Sequence, residues 1–388
     1  MKRSTERIIT THCGSLPRPA QLLDALPDAG SDAYAQLLSA AVADVIRLQA
    51  ETGIDVLGDG ELSKPGFFSY VTDRLSGFEP RPDLKPNLWP AELRDFPEYY
   101  EQYFAGAILG SAVAPPVPIV CVGPVTYRGQ LALQTDIANI KAALHGVAFE
   151  DVFVPAVGPA GPGSMAPTRA EANEYYPTYE EYLFAVADAV HEEYQAIVDA
   201  GFIVQVDDPF LAELFTDPAL TRDEVEERAE LHVGAINRAL RNIPADRVRY
   251  HTCYGINEGP RVHDAPLADL IETIFKINAS AISFEGANAR HEHEYHVFEN
   301  VKLPDDRVLI PGVITHSSNI VEHPELIAER LVRYARLVGR ERVIAGADCG
   351  FSSQATYKPE VHPTVMWAKF AALREGAELA TDQLWRAR

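Results

Sequence analysis

The chain has 388 residues, 47% of them hydrophobic, and a formal net charge of −22. This acidic balance argues against nucleic acids and anionic membranes as partners. The sequence contains no run of 18 apolar residues, no apolar segment typical of a secretory leader, and too few cysteines, four, for a disulfide scaffold. We therefore expect a cytoplasmic protein with enough hydrophobic residues for one large core.

Short β-prone runs alternate with amphipathic helices from the N-terminus onwards. A strand is predicted at 8–11, and a helix at 33–52, where apolar residues recur every three or four positions. A second strand follows at 54–57. Residues 62–116 are rich in aromatic residues and proline and alternate poorly, so we interpret them as a helical insertion at one mouth of the fold. This insertion can act as a lid or as the face of a homo-oligomer.

The alternation continues to the C-terminus. Further strands are predicted at 117–122, 151–155, 202–206, 247–251, 281–284, 308–310 and 343–346. Further helices are predicted at 134–145, 178–200, 221–241, 267–275, 324–338 and 363–379. This order implies parallel βαβ units, and we predict one domain, 1–388, of α/β class with a (β/α)8 TIM barrel. Nine candidate strands exceed the eight of such a barrel. We expect 151–155 to lie outside the ring because a long irregular loop follows it.

Polar side chains cluster directly after the predicted strands. They are Ser15, Glu61, Thr126, Asp207, Asp208, His251, Cys253, Glu285, His316 and Cys349. Chemistry in a TIM barrel is located at the C-terminal ends of the strands. The positions of these residues therefore agree with the predicted fold and indicate an active site there.

The spacing of His251 and Cys253 indicates a metal site. Residues two apart on an extended chain point to the same side, so this imidazole and thiolate can share one ion, and zinc accepts both donors. Glu285 and Cys349 follow two other strands, and the four residues form our predicted zinc ligand set. Each has a structural alternative, since a lone histidine or cysteine is often a core residue.

Several other motifs admit simpler interpretations. Cys13 follows His12 directly, and adjacent strand residues point to opposite sides, so we expect Cys13 near the ligands rather than among them. Cys121 lies in an apolar run and is expected in the core. The run at 290–296 alternates histidine and glutamate but contains no cysteine. We interpret it as a loop that is solvated or packs over the barrel mouth.

The strand-end residues belong to an ordered series of short blocks along nearly the whole chain. The blocks are Gly14-Ser15-Leu16-Pro17, Asp59-Gly60-Glu61, Gly123-Pro124-Val125-Thr126, Gln205-Val206-Asp207-Asp208-Pro209, His251-Thr252-Cys253-Tyr254, Ser283-Phe284-Glu285, Pro311-Gly312-Val313 with His316-Ser317, and Asp348-Cys349-Gly350. Because it contains these blocks in this order, the chain resembles the C-terminal catalytic half of cobalamin-independent methionine synthase. The resemblance implies a TIM barrel of the methionine synthase and uroporphyrinogen decarboxylase type.

The resemblance also implies a reaction and roles for residues. It implies a zinc-dependent methyl- or alkyltransferase in which His251, Cys253, Glu285 and Cys349 bind zinc and activate a homocysteine-like thiol. Ser15, Glu61, Asp207 and Asp208 would bind the amino-acid end of that substrate. Asp207 and His316 would be catalytic, with His316 as a proton donor or relay near the methyl donor. The partners are then a small thiol and a methyl or alkyl donor, for which a folate is one candidate.

The sequence leaves the electrophile open. The chain is also similar to single-barrel relatives that open epoxides with coenzyme M, so thiol addition or carbon–sulfur lysis is an alternative function. An anionic thiol would need a cation, and Arg18, Lys64, Arg128 and Arg290 are candidates. A decarboxylase-like barrel without metal is a further alternative, against which the His/Cys/Glu/Cys set argues.

Overall fold

The computed structural model describes residues 1–86, 88–106, 110–217, 219–256 and 258–386. The strands are Val56–Leu57 (β1), Phe78–Pro80 (β2), Ile119–Cys121 (β3), Asp151–Val157 (β4), Ile203–Asp207 (β5), Val248–His251 (β6), Ala281–Phe284 (β7), Val308–Ile314 (β8) and Gly346–Ala347 (β9). The α-helices are Ala20–Asp24 (α1), Asp32–Thr52 (α2), Tyr70–Arg74 (α3), Pro90–Asp95 (α4), Pro97–Gly106 (α5), Gln130–Ala143 (α6), Tyr179–Asp199 (α7), Phe210–Thr216 (α8), Arg222–Ala239 (α9), Leu267–Ile274 (α10), Val297–Asn300 (α11), Pro324–Val338 (α12) and Pro363–Thr381 (α13). Strands and helices alternate in the predicted order.

Seven parallel strands form a curved sheet in the order β1-β4-β5-β6-β7-β8-β9. The extended segment 8–11 lies between its two edges. On one side the carbonyl of Thr10 accepts hydrogen bonds from the backbone N–H groups of Asp55 (3.1 Å) and Val56 (3.0 Å). On the other side the backbone N–H of Thr11 donates to the carbonyl of Ala345 at 2.8 Å, and the backbone N–H of Ala345 donates to the carbonyl of Ile9 at 2.9 Å. The segment is therefore the eighth member of a closed ring.

The expectation that 151–155 lies outside the ring is wrong. Strand β4 pairs with both β1 and β5 and is buried along nearly its whole length. The predicted strand at 117–122 is the one outside, because β3 pairs antiparallel with β2 from the insertion. The runs of β3 and β4 are both apolar and both buried, so their composition does not indicate which strand each of them pairs with.

Two apolar layers hold the barrel together. Inside the ring, a small cluster of Ile9, Val56, Phe153, Ile203, Ala281, Val308, Ile310 and Ile344 closes the end away from the strand C-termini. A much larger cluster lies between the sheet and the surrounding helices. Helix α7 begins with a cap at the first residue of its predicted range, because the side chain of Thr178 accepts a hydrogen bond from the N–H of Glu181. In the part of the chain that the structure describes, no helix is both long and apolar enough to cross a bilayer.

The insertion contributes aromatic side chains above the strand ends. Trp89 stacks on Phe104, with ring centroids 6.3 Å apart, and packs near Tyr100 and Tyr103. Glu92 of α4 is buried, and its carboxylate accepts a hydrogen bond from the N–H of Arg261, 169 positions away. The insertion is thereby connected to the loop after β6, which carries part of the site.

Candidate metal centre and substrate cavity

Three of the four predicted metal ligands converge at the C-terminal ends of the strands. The imidazole of His251 and the sulfurs of Cys253 and Cys349 all lie within 4.8 Å of one another, and all three residues are buried. His251 ends β6, and Cys253 follows two residues later on the same side. The Nε2 atom of His251 is buried without a hydrogen-bond partner among the described residues. One free nitrogen and two sulfurs form a donor set suited to a zinc ion.

Side chains behind His251 determine which of its nitrogens faces the two sulfurs. Its Nδ1 atom lies 3.0 Å from the hydroxyl of Ser283 on β7. The sulfur of Cys13 lies 3.7 Å from the same nitrogen and donates to the carbonyl of Ala347 at 3.0 Å. A metal-binding histidine commonly uses its second nitrogen in a hydrogen bond of this kind. Cys13 therefore lies near the ligands without joining them, as the sequence predicts.

The two ligand sulfurs interact with each other. A hydrogen bond from Cys349 holds the pKa of Cys253 well below its ordinary value, and the same bond raises the pKa of Cys349. Burial disfavours the charged form of His251, but the sulfurs of Cys13 and Cys253 raise the pKa of its imidazole above the ordinary value. These directions favour a thiolate at Cys253, which is the donor form that a cation would bind.

Glu285, the fourth predicted ligand, lies in a neighbouring group. Its carboxylate clusters with His316 and Asp348, all within 4.8 Å. Burial raises the pKa of Glu285 to about 7, although Arg261 opposes the rise. Burial also lowers the pKa of His316 well below its ordinary value, so this imidazole is neutral near pH 7. The structure thus does not join Glu285 to the His251–Cys253–Cys349 set.

Asp207 ends β5 and faces the cavity. Its Oδ1 atom accepts a hydrogen bond of 2.6 Å from Gln205, which also donates to the carbonyl of Cys13. Burial raises the pKa of Asp207 to about 8; His251 and Lys64 oppose the rise and Glu61 adds to it. A buried carboxyl group of this kind gains from an incoming ammonium group.

Ser15 and Glu61 reach the same cavity from neighbouring loops. The carbonyl of Ser15 accepts from the N–H of Phe351, two residues after Cys349, at 2.8 Å. Gly14 has a φ of +129°, and a Cβ atom there would lie 2.7 Å from Oε1 of Glu61, so the close approach of the two loops requires glycine. The Oε2 atom of Glu61 lies 3.2 Å from Nζ of Lys64.

Asp208 differs from its predicted role as a substrate-binding residue. It is fully buried, and its Oδ2 atom lies 2.7 Å from Nε2 of His232 and accepts a 2.9 Å hydrogen bond from the hydroxyl of Tyr250. The alternation of strand residues explains this difference, because Asp207 points into the cavity and its neighbour points into the layer between sheet and helices.

One cavity of about 1560 Å³ covers the strand ends. Its floor includes Cys13, Ser15, Glu61, Asp207, His251, Cys253 and Cys349. Its walls include Phe67, Phe68 and Trp89 from the insertion and Tyr176, Tyr179 and Tyr182 from the stretch around the start of α7. The cavity is therefore polar at the bottom and largely aromatic above.

The four candidate cations for an anionic thiol have other partners. Arg18 donates to three backbone carbonyls, and Lys64 donates to Glu61 and to the carbonyl of Pro155. Arg128 and Arg290 also donate to backbone carbonyls. The arginines that line the cavity are Arg169 and Arg228, which the sequence analysis did not identify.

Other residues of the site were also missed. Ser283 precedes Glu285 by two positions, so strand alternation places both on one side and could have indicated it. Glu213 on α8 is exposed and lines the cavity. Arg261 lies in a loop without periodicity, so no pattern in the sequence indicated it. The run at 290–296 packs at the barrel mouth, where the ring of His291 stacks on Tyr254 with centroids 4.3 Å apart.

Comparison with known proteins gives a consistent result. Residues 168–371, somewhat more than half of the chain, match the family model of the cobalamin-independent synthase catalytic domain. The chain is 24% identical to a methionine synthase of Thermococcus kodakarensis over 388 residues, covering 97% of this chain and 94% of the relative. It is 26% identical to a methionine synthase of Sulfolobus acidocaldarius over 349 residues, covering 88% and 85%.

Two further comparisons concern a longer relative and a solved structure. A 5-methyltetrahydropteroyltriglutamate–homocysteine methyltransferase of Thermotoga maritima is 22% identical over 351 residues, which cover 89% of this chain and 41% of that protein. The B12-independent methionine synthase of Shewanella sp. W3-18-1, solved with selenomethionine, superposes with a TM-score of 0.70 at 19% identity, covering 98% of this chain and all of that one. The superposition confirms the predicted barrel fold. The matched family model shows that this chain belongs to the cobalamin-independent synthase catalytic-domain family.

Proposed function

We propose that this protein transfers a methyl group to the thiol of homocysteine, with a zinc ion held by His251, Cys253 and Cys349. The observation that carries the proposal is the convergence of two cysteine sulfurs and one imidazole nitrogen, which has no partner among the described residues, at the floor of a large cavity. The family of the chain and the names of its full-length relatives support the same reaction.

The bound metal would supply thiol activation. A free thiol with a pKa of roughly 8.5 is mostly protonated at neutral pH, and coordination to zinc favours the nucleophilic thiolate. The residues of the chain bind and orient the substrate around this sulfur. Asp207 and Glu61 present carboxyl groups to the substrate ammonium, and Ser15 presents a hydroxyl to its carboxylate. Because Asp207 has a pKa of about 8, we expect substrate binding to release part of a proton.

Glu285 enters the proposal as the exchangeable ligand. Its carboxylate clusters with that of Asp348, the residue before Cys349, and its Oε2 atom has no hydrogen-bond partner among the described residues. An oxygen donor exchanges more readily for a substrate sulfur than a thiolate does. His316, neutral and buried beside Glu285, is the proposed proton relay, since neither of its ring nitrogens has a partner in the described part of the chain.

The upper cavity would accommodate the methyl donor. Its volume of about 1560 Å³ exceeds that of a small amino acid, and its aromatic walls suit a flat heterocycle. A methyltetrahydropteroyl compound, as in the name of the Thermotoga maritima relative, fits this shape. The four buried cysteines are free, and the site needs free thiols, so we also propose a reducing cytoplasmic location.

Metal analysis with cysteine variants tests the proposal. We expect about one zinc per chain in the purified protein, as for a site with three protein donors. Cys253→Ser and Cys349→Ser should lose the metal and the binding of homocysteine, while Cys121→Ser, whose sulfur lies in the outer two-stranded sheet, should retain both. The circular dichroism of all variants should match the wild type because a core of this size does not depend on one ion.

The same experiment can refute the proposal. A wild-type protein purified without chelator that contains no zinc and takes up none would exclude it. Titration with homocysteine and with coenzyme M then separates methyl transfer to an amino-acid thiol from the alternative reaction. Tighter binding of coenzyme M would favour thiol addition to an epoxide.

A further inference from the structure

We propose that Arg261 is a positioning residue that competes with the metal for Glu285, holding this carboxylate whenever the substrate sulfur occupies its place. This inference rests on the proposed function. Nη2 of Arg261 lies 2.8 Å from Oε1 of Glu285, and the backbone N–H of Tyr254 donates to the same oxygen at 3.3 Å. Both side chains are almost completely buried.

The pairing of these two groups is incomplete. A guanidinium and a carboxylate can form two parallel hydrogen bonds, but here only one N–H meets one oxygen. Nη1 of Arg261 and Oε2 of Glu285 both lack a partner among the described residues. The carboxylate therefore uses one oxygen for Arg261 and leaves the other free for a second cation. Buried polar atoms without partners are rare and call for such an explanation.

Arg261 itself is held firmly, so Glu285 is the member of the pair that can move. Nε of Arg261 donates to Asp264 at 2.9 Å, and Nε2 of His291 lies 3.0 Å from the same carboxylate oxygen. The backbone N–H of Arg261 donates to Glu92 of the insertion at 3.2 Å. The residue also has a φ of +55°, a conformation that a bulky residue adopts only where its surroundings impose it.

The charges around Glu285 favour two alternative states. A buried carboxylate needs a cationic partner. Arg261 bonds Glu285 directly, and the metal would be the competing cation. His291 also carries positive charge nearby, but Asp264 and Glu294 bind its two ring nitrogens. If Arg261 were absent, Glu285 would have the metal alone and would yield its position less readily. Arg261 thereby lowers the free energy of the state in which Glu285 has left the metal and a substrate sulfur has entered.

The test compares Arg261→Met with Arg261→Lys, which keeps the charge, and with Arg307→Met, just before β8 and away from the site, which removes a guanidinium that donates to the carbonyl of Phe275. Zinc affinity is measured by competition with a chelator, and homocysteine affinity by calorimetry on the zinc-loaded proteins. For Arg261→Met we expect zinc to bind about tenfold more tightly and homocysteine about tenfold more weakly, the size typical of changes around metal ligands. Arg261→Lys and Arg307→Met should stay close to the wild type.

Other outcomes overturn the inference. Weaker zinc binding in Arg261→Met, to the extent seen in Glu285→Gln, would show that Arg261 supports the metal instead of competing with it. Unchanged affinities for zinc and homocysteine would show that Arg261 and Glu285 form only a structural ion pair. If Arg261→Met fails to fold, Asp264→Asn loosens Arg261 and must shift both affinities in the same directions. A wild type that binds neither zinc nor homocysteine would refute the proposed function itself. A wild type that binds both, with variants that do not shift as expected, would refute only the role of Arg261.

Discussion

Asp207 and Asp208 are neighbours in the sequence with opposite surroundings. Asp207 lines the cavity beside Gln205, whereas Asp208 is enclosed by His232 and Tyr250. Both carboxyl groups are buried, so burial alone does not separate a binding residue from a structural one. The direction of each side chain from the end of β5 separates them, and this gives each residue a different expected variant phenotype.

Replacement of Asp208 should affect stability. Asp208→Ala leaves the hydroxyl of Tyr250 and Nε2 of His232 without their acceptor, which we expect to lower the free energy of unfolding by about 2–3 kcal/mol. Urea denaturation measures the loss. Asp305→Ala, which removes an exposed ion pair with Lys302, is the control and should change stability by less than about 1 kcal/mol. An Asp208→Ala protein as stable as this control would contradict the structural role.

Replacement of Asp207 should change the pH dependence of stability. The pKa of Asp207 is about 8 in the folded protein, above its ordinary value of 3.8, so between these values the folded state holds a proton that the unfolded state has released. Stability therefore falls as pH rises from about 4 to about 8, by up to about 1.4 kcal/mol per pH unit for this one group. In metal-free protein, Asp207→Asn should have a shallower slope over that window. Equal slopes for both proteins would show that Asp207 is ionised in the fold.

The helices show how local signals determine the elements. Helix α9 begins with a capping box in which Thr221 and Glu224 satisfy each other's backbone N–H groups. The sequence predicts this helix at 221–241, within two residues of the observed bounds. Strands are less well determined, since the apolar runs of β3 and β4 differ in their partners rather than in their composition. Helix caps act within four residues, while strand pairing joins distant parts of the chain.

The capping box predicts a specific loss at the level of one element. Thr221→Ala removes the cap of α9 and should lower the free energy of unfolding by about 1 kcal/mol. Thr135→Ala on α6 is a matched control, because Thr135 is exposed and its hydroxyl donates to the carbonyl of Leu131 within the helix. Alanine favours a helix interior by up to about 0.7 kcal/mol, so this control should not destabilise the protein. Thermal unfolding followed by circular dichroism compares the two, and equal stability would contradict the capping role.

At the scale of the whole molecule, the barrel depends on one short extended segment near the N-terminus. Residues 8–11 join the edges of the sheet formed by β1 and β9 through backbone hydrogen bonds on both sides. Cys13, Ser15 and the loop that carries them follow this segment directly. Ring closure and assembly of the cavity floor therefore depend on the same stretch of chain.

Removal of residues 1–11 should open the ring. The two exposed strand edges would then be free to pair with other molecules, so we expect aggregation and loss of a cooperative thermal transition. Removal of residues 1–3 alone leaves the closing segment intact and serves as the control. Light scattering and melting curves distinguish the two proteins. A soluble shortened chain that melts like the full one would show that the barrel does not need its eighth member.

The sequence by itself determined the alternation of strands and helices, the barrel class, and the placement of His251, Cys253 and Cys349 at the ends of strands. These follow from local periodicity and from the chemistry of a few residue types at strand ends, which short stretches of chain encode. The tertiary structure alone decided that β4 lies in the ring and that Arg261 holds Glu285. Each of these depends on contacts between residues 24 or more positions apart. Local sequence patterns do not specify which distant groups come into contact.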